Sequence, residues 1–274
     1  MIVTVNGVAY HVCSDGAGSP IVLLHGFTGS VCSWTPLLAD FVPTHQVIRI
    51  DLLGHGQTDC PETAKRYSME HQVADLVAIL DALHVKKTDL LGYSMGGRTA
   101  LSLACLHPER IRTLVLESAS PGLESEEERE ARRAHDQKLA QFISDKGVEA
   151  FARFWETIPL FASQKNLPEF VCERLRHERL MNHAEGLAGS LRGMGTGAQP
   201  SWWKALPELD LPVLLITGSK DEKFCSLARR MRQILKNAEW SVVKGSGHNV
   251  HLENHSRFAE IVLQFLKGRV AHED

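Results

Sequence analysis

The sequence predicts an α/β fold, in which a mostly parallel central sheet is flanked by helices. Short runs that are apolar on consecutive residues recur along the chain, which is typical of strands buried on both faces of a parallel sheet. The five clearest runs are residues 21–24, 47–50, 88–91, 113–116 and 213–216. Segments of helical periodicity lie between them. In residues 69–83 the apolar positions follow the i, i+3, i+4, i+7 spacing of one helix face.

The middle of the chain differs from both ends. From residue 118 to residue 209 the sequence is mainly charged and helical, with aromatic residues such as Trp155 and no strand-like run. Sheet-like sequence then resumes at residues 213–216 and 240–243. We therefore expect a first core segment at 1–117, a helical cap inserted at 118–209 over the carboxyl ends of the strands, and a second core segment at 210–274.

The composition is that of a globular protein and excludes several classes of function. The chain has 274 residues, of which 43% are hydrophobic and 23% charged, so it can bury a sizeable core. Its 30 Lys and Arg against 33 Asp and Glu give a net charge of −3, which offers no excess positive charge to a nucleic acid. Apolar runs are too short to span a membrane, and residues 1–10 lack a secretion signal pattern. We expect a cytoplasmic protein with neither nucleic acid nor membrane as a partner.

The six cysteines are scattered, and none forms the C-x-x-C pair that is typical of metal or redox sites. We read them as inert thiols. The sequence contains no pattern typical of a metal, flavin or nucleotide site, so we expect no cofactor. No pattern indicates an oligomeric state.

The strongest local signal is the segment Gly92-Tyr93-Ser94-Met95-Gly96, directly after a predicted strand and directly before a helical stretch. This is the context that the G-x-S-x-G nucleophile elbow requires. Asp221 follows the predicted strand 213–216, and His248 follows the next one. Serine, aspartate and histidine in this order, each just beyond a strand, predict the α/β-hydrolase fold with a Ser94, Asp221, His248 triad.

A second loop supports the prediction. His25-Gly26-Phe27 follows the first strong strand, where an oxyanion-hole amide is expected in this fold. The predicted donors are the backbone N–H groups of Phe27 and Met95. We interpret His25 itself as a structural residue of the loop.

Longer motifs resemble one family, the 2-succinyl-6-hydroxy-2,4-cyclohexadiene-1-carboxylate synthases of menaquinone biosynthesis, and the resemblance covers most of the chain. The discriminating matches include His25-Gly26-Phe27-Thr28-Gly29-Ser30, the elbow continued to Gly97-Arg98, and the segments Ser118-Ala119-Ser120-Pro121-Gly122-Leu123, Asp221-Glu222-Lys223-Phe224 and Gly247-His248-Asn249-Val250. The resemblance implies a lyase that eliminates pyruvate from 2-succinyl-5-enolpyruvyl-6-hydroxy-3-cyclohexene-1-carboxylate.

A tricarboxylate substrate requires cations, and the planar fork of arginine binds carboxylate oxygens in pairs. The resemblance implies that Arg98, Arg132 and Arg179 bind substrate and that Trp155 and Tyr93 shape the pocket. Within the cap, Arg133 is the alternative to Arg132. From the residues alone, Arg132 is as well explained by an exposed ion pair with Asp136, four residues on.

Two other functions stay open from the sequence. The triad would equally serve a small-molecule carboxylesterase, lactonase or carbon–carbon bond hydrolase with Ser94 as the nucleophile. A non-catalytic small-molecule receptor on the same fold is the other class. It is disfavoured because all three triad positions are intact.

Overall fold

The computed structural model describes residues 1–267, which contain an eight-stranded sheet. The strands are β1 Ile2–Val5, β2 Val8–Asp15, β3 Ser19–Leu24, β4 His45–Ile50, β5 Thr88–Tyr93, β6 Ile111–Glu117, β7 Val213–Gly218 and β8 Ala238–Val243. Their order in the sheet is β1-β2-β4-β3-β5-β6-β7-β8. The pairs β1–β2 and β2–β4 are antiparallel, and every other pair is parallel.

Helices flank the sheet and fill the connections between its parallel strands. The α-helices are α1 Leu38–Phe41, α2 Met69–Ala82, α3 Met95–Leu106, α4 Glu126–Trp155, α5 Glu169–Leu180, α6 Ala184–Met194, α7 Glu222–Ile234, α8 Val250–Glu253 and α9 His255–Lys267. Short 3₁₀ helices cover Val31–Leu37, Ala64–Tyr67, Pro108–Arg110, Pro159–Asn166 and Leu206–Glu208. Within residues 1–267, no helix combines the length and apolar character needed to cross a membrane.

Apolar side chains cover both faces of the central strands, which is why these strands appear as continuous apolar runs in the sequence. In β3, Val22 and Leu24 pack on one face in the same core as α2 and α3, whereas Ile21 and Leu23 pack on the other face with α9. The predicted α/β fold with a mostly parallel sheet is confirmed.

The antiparallel strands β1 and β2 were not predicted. They form a hairpin in which Val5 pairs with Val8, and the two turn residues, Asn6 and Gly7, both have positive φ, at 48° and 76°. Asn-Gly between alternating residues is the sequence signal of such a hairpin, because this turn requires positive φ at both positions. The signal was present in the sequence, but both strands alternate more buried with more exposed residues, so a search for continuous apolar runs did not mark them.

The chain between β6 and β7 contains α4, α5 and α6 and no strand. Its helices bury a small core of their own, which includes Ile143, Phe151 and Leu187. Helix α4 is interrupted at Gly147, where φ is 78°. We call this segment the cap. Its boundaries at 118 and 209 stay a prediction, and the end of the predicted second core segment, 268–274, lies outside the described residues.

One buried carboxylate ties the N-terminal hairpin to the rest of the core. Asp75 on α2 is 1% exposed and accepts hydrogen bonds from the Tyr10 hydroxyl at 2.5 Å, the Asn6 amide at 2.9 Å and Arg66 at 2.8 Å. Burial, followed by the charge of Asp75, raises the pKa of Tyr10 well above its usual value, so the phenol stays a proton donor. The hairpin is therefore held by a charge that is compensated only in the folded state.

Replacing this carboxylate tests how much the hairpin depends on it. We expect Asp75→Ala to lower the free energy of unfolding by about 3 kcal/mol or more, because it leaves the charge of Arg66 and the hydroxyl of Tyr10 without their partner. Urea denaturation followed by circular dichroism measures the loss. Asp81→Ala is the matched control, since Asp81 on the same helix is 64% exposed and pairs with Arg110 at the surface. We expect it to lose less than about 1 kcal/mol. Equal losses would contradict the assignment.

Candidate active site

Ser94 lies on a sharp turn between β5 and α3. Its φ and ψ are 51° and −106°, an uncommon conformation for a residue with a side chain. The turn is possible because neighbouring positions are glycine: a Cβ on Gly96 would overlap the backbone carbonyl oxygens of Leu24 and His25, and one on Gly92 would overlap the carbonyl of Gly96. The strained turn lifts the Ser94 hydroxyl out of the backbone at the start of α3.

The structure brings the three predicted triad residues together. The Ser94 Oγ lies 3.0 Å from His248 Nε2, and His248 Nδ1 lies 2.7 Å from Asp221 Oδ2. Asp221 follows β7 and also caps α7, where its other oxygen accepts the Phe224 N–H at 3.3 Å. His248 is 1% exposed. With Nδ1–H donating to the aspartate, Nε2 is free to accept the serine proton, as general-base chemistry requires.

Two backbone N–H groups lie beside the serine. Met95 is the first residue of α3, where an amide has no acceptor within the helix. Phe27 lies in a turn closed by a 3.0 Å hydrogen bond from the Gly29 N–H to the Gly26 carbonyl. Within residues 1–267, neither the Met95 nor the Phe27 N–H has a hydrogen-bond acceptor. Buried His25 holds the loop by hydrogen bonds of its two ring nitrogens to Gly26 O and Leu52 N–H.

A cavity of about 530 Å³ opens over the triad, between the sheet and the cap. Seven of the predicted site residues line it: Ser94, His248, Phe27, Met95, Arg98, Arg132 and Trp155. Tyr93 and Arg179 line a separate small pocket on the far side of Phe27, and Asp221 lies behind His248. In the part of the chain that the structure describes, no cluster of three His, Cys, Asp or Glu side chains could hold a metal ion.

Arg98 is the cation nearest the triad along the chain. Its Nη1 donates to the Met194 carbonyl at 2.7 Å and to the side-chain oxygen of Gln199, and both partners are neutral groups of the cap. Burial, together with the charge of Arg132, lowers the pKa of Arg98 to about 10. It is therefore still protonated at neutral pH. No carboxylate within residues 1–267 forms an ion pair with it, so Arg98 is a partly buried positive charge that an anion in the cavity would stabilise.

Arg132 and Arg133 point in different directions. Arg132 lines the cavity while its Nε donates to Asp136 at 2.7 Å. The ion pair that the sequence suggested therefore exists beside the cavity, but it is not exposed as expected, because the side chain of Asp136 is buried. Arg133 bonds instead to Glu126 at 2.5 Å and to the Gly197 carbonyl at 3.2 Å, and it lines a different surface depression. Of the two alternatives, Arg132 is the one that reaches the cavity.

Arg179 and Tyr93 belong to the wall behind the cavity. Arg179 is 7% exposed, lies over the Phe161 ring at 5.7 Å from its centroid, and pairs with Glu156 at 3.2 Å. The Tyr93 ring packs against His248 at a centroid distance of 5.4 Å. From these positions the two side chains support the residues around the triad and do not line the cavity itself.

Sequence reasoning missed several residues of the cavity wall. Ser118 has φ of 47° and a buried hydroxyl with no hydrogen-bond partner in the described part of the chain, and it follows β6 as Ser94 follows β5. Lys223 lines the mouth of the cavity, and Arg230 stacks on Trp203 at 4.2 Å while pairing with Glu124. The sequence held one signal for two of these residues: Ser118 and Lys223 lie within motifs that directly follow predicted strands, where functional side chains of this fold are found.

Comparison with known proteins supports the fold. The chain matches the family model described as alpha/beta hydrolase fold over residues 19–255. A triad on a nucleophile elbow within this sheet defines the protein as a member of the α/β-hydrolase class.

Closer relatives narrow the assignment. A protein of Bacillus subtilis (strain 168) that bears the name 2-succinyl-6-hydroxy-2,4-cyclohexadiene-1-carboxylate synthase is 49% identical over 263 residues, 95% of this chain and 96% of that protein. The synthase of Enterobacter sp. (strain 638) is 31% identical over 93% of this chain and 95% of its own length. A solved structure described as MenH from S. aureus has a TM-score of 0.90 at 34% identity, covering 96% and 99% of the two chains. The chain belongs to the 2-succinyl-6-hydroxy-2,4-cyclohexadiene-1-carboxylate synthase family.

The reactivity of Ser94 can be tested without any natural substrate. We expect a fluorophosphonate to phosphonylate Ser94 with loss of fluoride, and we expect His248→Ala to slow this reaction by about a thousandfold or more, because the serine then has no base. Mass spectrometry of the labelled peptide measures the rate and the site. Ser120→Ala, which removes another hydroxyl from the cavity wall, is the control and keeps the wild-type rate. Labelling at Ser120, or a fast His248→Ala variant, would contradict the assignment.

Proposed function

We propose that this chain eliminates pyruvate from 2-succinyl-5-enolpyruvyl-6-hydroxy-3-cyclohexene-1-carboxylate to give 2-succinyl-6-hydroxy-2,4-cyclohexadiene-1-carboxylate, a step of menaquinone biosynthesis. The observation that carries the proposal is an assembled triad beside Arg98, a cation that lines the same cavity and forms no ion pair with a carboxylate within residues 1–267. A triad alone supports many reactions. A triad beside a cation that no carboxylate within residues 1–267 contacts directly favours a substrate with carboxylates, as this family's substrate has.

The reaction begins with removal of the ring proton α to the succinyl ketone. Ser94 takes this proton as its own proton passes to His248 Nε2, and Asp221 stabilises the imidazolium that forms. The 3.0 Å contact lets the serine proton pass to His248 Nε2, and the 2.7 Å contact holds the resulting imidazolium against Asp221. No acyl-enzyme is formed, because the serine acts as part of the base and not as a nucleophile.

The electrons released from the C–H bond need a temporary acceptor. Negative charge moves to the ketone oxygen to form an enolate, which the N–H groups of Phe27 and Met95 stabilise. Both residues line the cavity, and neither N–H has an acceptor within residues 1–267. The electrons then return through the ring double bond and break the C–O bond to the enolpyruvyl group. The leaving enolpyruvate takes up a proton and becomes pyruvate.

Substrate carboxylates would meet Arg98 and Arg132. Binding at Arg98 is favoured because a carboxylate compensates a charge that burial now destabilises, and charge-assisted bonds to arginine are strong when partly desolvated. Arg132 already bonds to Asp136 through Nε, which leaves its terminal nitrogens to a ligand in the cavity. Trp155 forms part of the wall between them and Phe27.

Release of pyruvate is the direct test of this function. We expect the wild-type protein to release pyruvate from the enolpyruvyl substrate, and Ser94→Ala and His248→Ala to lower kcat by about a thousandfold or more, because the proton then has no base. A coupled lactate dehydrogenase assay measures the rate. Near-wild-type turnover by either folded variant would remove the triad from the mechanism.

Turnover in ¹⁸O-labelled water is the control that separates a lyase from a hydrolase. Elimination puts no label into a carboxyl group, whereas hydrolysis through a Ser94 ester does. Label in a product carboxylate, or release of simple alcohols from an ester panel without pyruvate from the enolpyruvyl substrate, would favour the carboxylesterase, lactonase or carbon–carbon hydrolase alternative.

Substitution of the arginines that line the cavity tests whether the substrate is a tricarboxylate. We expect Arg98→Ala to lower kcat/KM by about thirtyfold, equivalent to about 2 kcal/mol, because a partly buried charge-assisted contact is lost. We expect a smaller loss for Arg132→Ala, whose guanidinium is more exposed. Measuring kcat/KM at low and high salt checks both values, since exposed contacts weaken most with added salt.

Arg133→Ala is the matched control for Arg132→Ala, because the two residues are adjacent on α4 and only Arg132 lines the cavity. We expect the control to lower kcat/KM by less than about fivefold, as for an exposed ion pair. Near-neutral results for both Arg98→Ala and Arg132→Ala would exclude the tricarboxylate as substrate.

A further inference from the structure

A carboxylate of the cap lies against the loop that carries Phe27. Glu178, on α5, is 9% exposed, and one of its oxygens accepts three hydrogen bonds from the core. The donors are the Ser30 N–H at 2.8 Å, the Ser30 hydroxyl at 2.7 Å and the Ser33 hydroxyl at 2.7 Å. Because the donors and the acceptor are largely shielded from water, these bonds are costly to break.

A second side chain, just beyond the end of α5, binds the same loop. Asn182 is 6% exposed and donates to the Thr28 carbonyl at 3.0 Å, while its own carbonyl oxygen accepts the Gly56 N–H at 3.1 Å. Asn182 also donates to the carbonyls of Glu178 and Arg179, so its amide is fixed to the helix end. It therefore holds two core loops at a defined distance from α5.

The loop between these contacts is strained. Thr28 has φ of 69°, which is uncommon for a residue branched at Cβ, and it follows Phe27 in the turn closed by Gly26 and Gly29. Such a conformation persists only where contacts with the surrounding structure hold it in place. Without the contacts from the cap, Thr28 can relax to an ordinary φ, and the adjoining peptide planes, including those that flank Phe27, rotate with it.

We propose that Glu178 and Asn182 are positioning residues that hold the Phe27 N–H in place for oxyanion stabilisation. They act through Ser30 and Thr28 and do not touch the cavity over the triad. The cap thus helps to form the catalytic machinery as well as covering it. This inference rests on the oxyanion role that the proposed function gives to Phe27.

The consequence for catalysis follows from how an oxyanion hole works. Its donors stabilise charge that develops only in the transition state, so a misplaced donor lowers kcat more than it raises KM. Substrate carboxylates are held elsewhere, at Arg98 and Arg132, and these residues make no contact with Glu178 or Asn182. A split between kcat and KM is therefore the signature that a general loss of structure would not produce.

The experiment compares Glu178→Gln, Glu178→Ala, Asn182→Ala and Ser33→Ala with wild type. Two readouts are used: kcat and KM for pyruvate release, and the rate of Ser94 phosphonylation by a fluorophosphonate, whose phosphoryl oxygen occupies the same oxyanion site. Glu173→Gln is the matched control, because it removes one negative charge from an exposed position of α5. Thermal unfolding and circular dichroism establish the folded fraction of each variant at the assay temperature.

We expect Glu178→Ala and Asn182→Ala to lower kcat by about tenfold to a hundredfold with KM within about threefold of wild type, since a donor moved by about 1 Å loses most of its effect. Phosphonylation slows in parallel. Glu178→Gln keeps an acceptor oxygen and Ser33→Ala keeps two of the three bonds, so both lose less. Glu173→Gln remains at the wild-type rate.

Three results would overturn the inference: folded Glu178→Ala and Asn182→Ala variants with both readouts within twofold of wild type, a loss confined to KM, or an equal loss in Glu173→Gln. If Glu178→Ala does not fold, Asn182→Ala decides by the same criteria. Absence of pyruvate release by the wild-type protein would instead overturn the proposed function. The phosphonylation rates would then still test the positioning role.

Discussion

The conformation of Ser94 is the constraint on which the rest of the site depends. A serine with φ of 51° between a strand and a helix requires glycine wherever another backbone segment passes close by, as at Gly96 against β3. Because of this close approach, the loop of Phe27 lies against the turn of Ser94. The backbone N–H of Met95, the first residue of α3, lies beside the serine. The position of the hydroxyl and of both proposed oxyanion donors follows from this one close approach of the elbow to β3.

The two arginines that line the cavity differ in their electrostatic surroundings. Arg98 is held by neutral acceptors and carries a pKa lowered to about 10, whereas Arg132 is already paired with Asp136. A charge placed in this way is destabilised by its own surroundings, and an anion relieves the cost. In the proposed function, the charge that binds a substrate carboxylate is therefore already in place beside the triad before substrate enters.

The cap contributes to both features. Its carbonyl at Met194 and its amide at Gln199 orient Arg98, and its residues Glu178 and Asn182 bind the strained loop before Val31–Leu37. Cap and core meet through buried hydrogen bonds as well as through apolar packing. Changes in the cap can therefore alter turnover without touching the substrate, which is the basis of the positioning role proposed for Glu178.

The sequence by itself determined the parallel sheet and the order of the triad, because apolar runs, glycines around a serine and residues directly after strands are local patterns with a fixed structural meaning. Through the family resemblance, it also predicted Arg98, Arg132 and Trp155 as residues of the site. Only the tertiary structure decided that Arg132 and not Arg133 faces the cavity, and that Glu178 meets Ser30 across 148 residues of chain. The rotation of a helix face and the pairing of distant loops depend on how the cap packs on the core, and no local pattern encodes that packing.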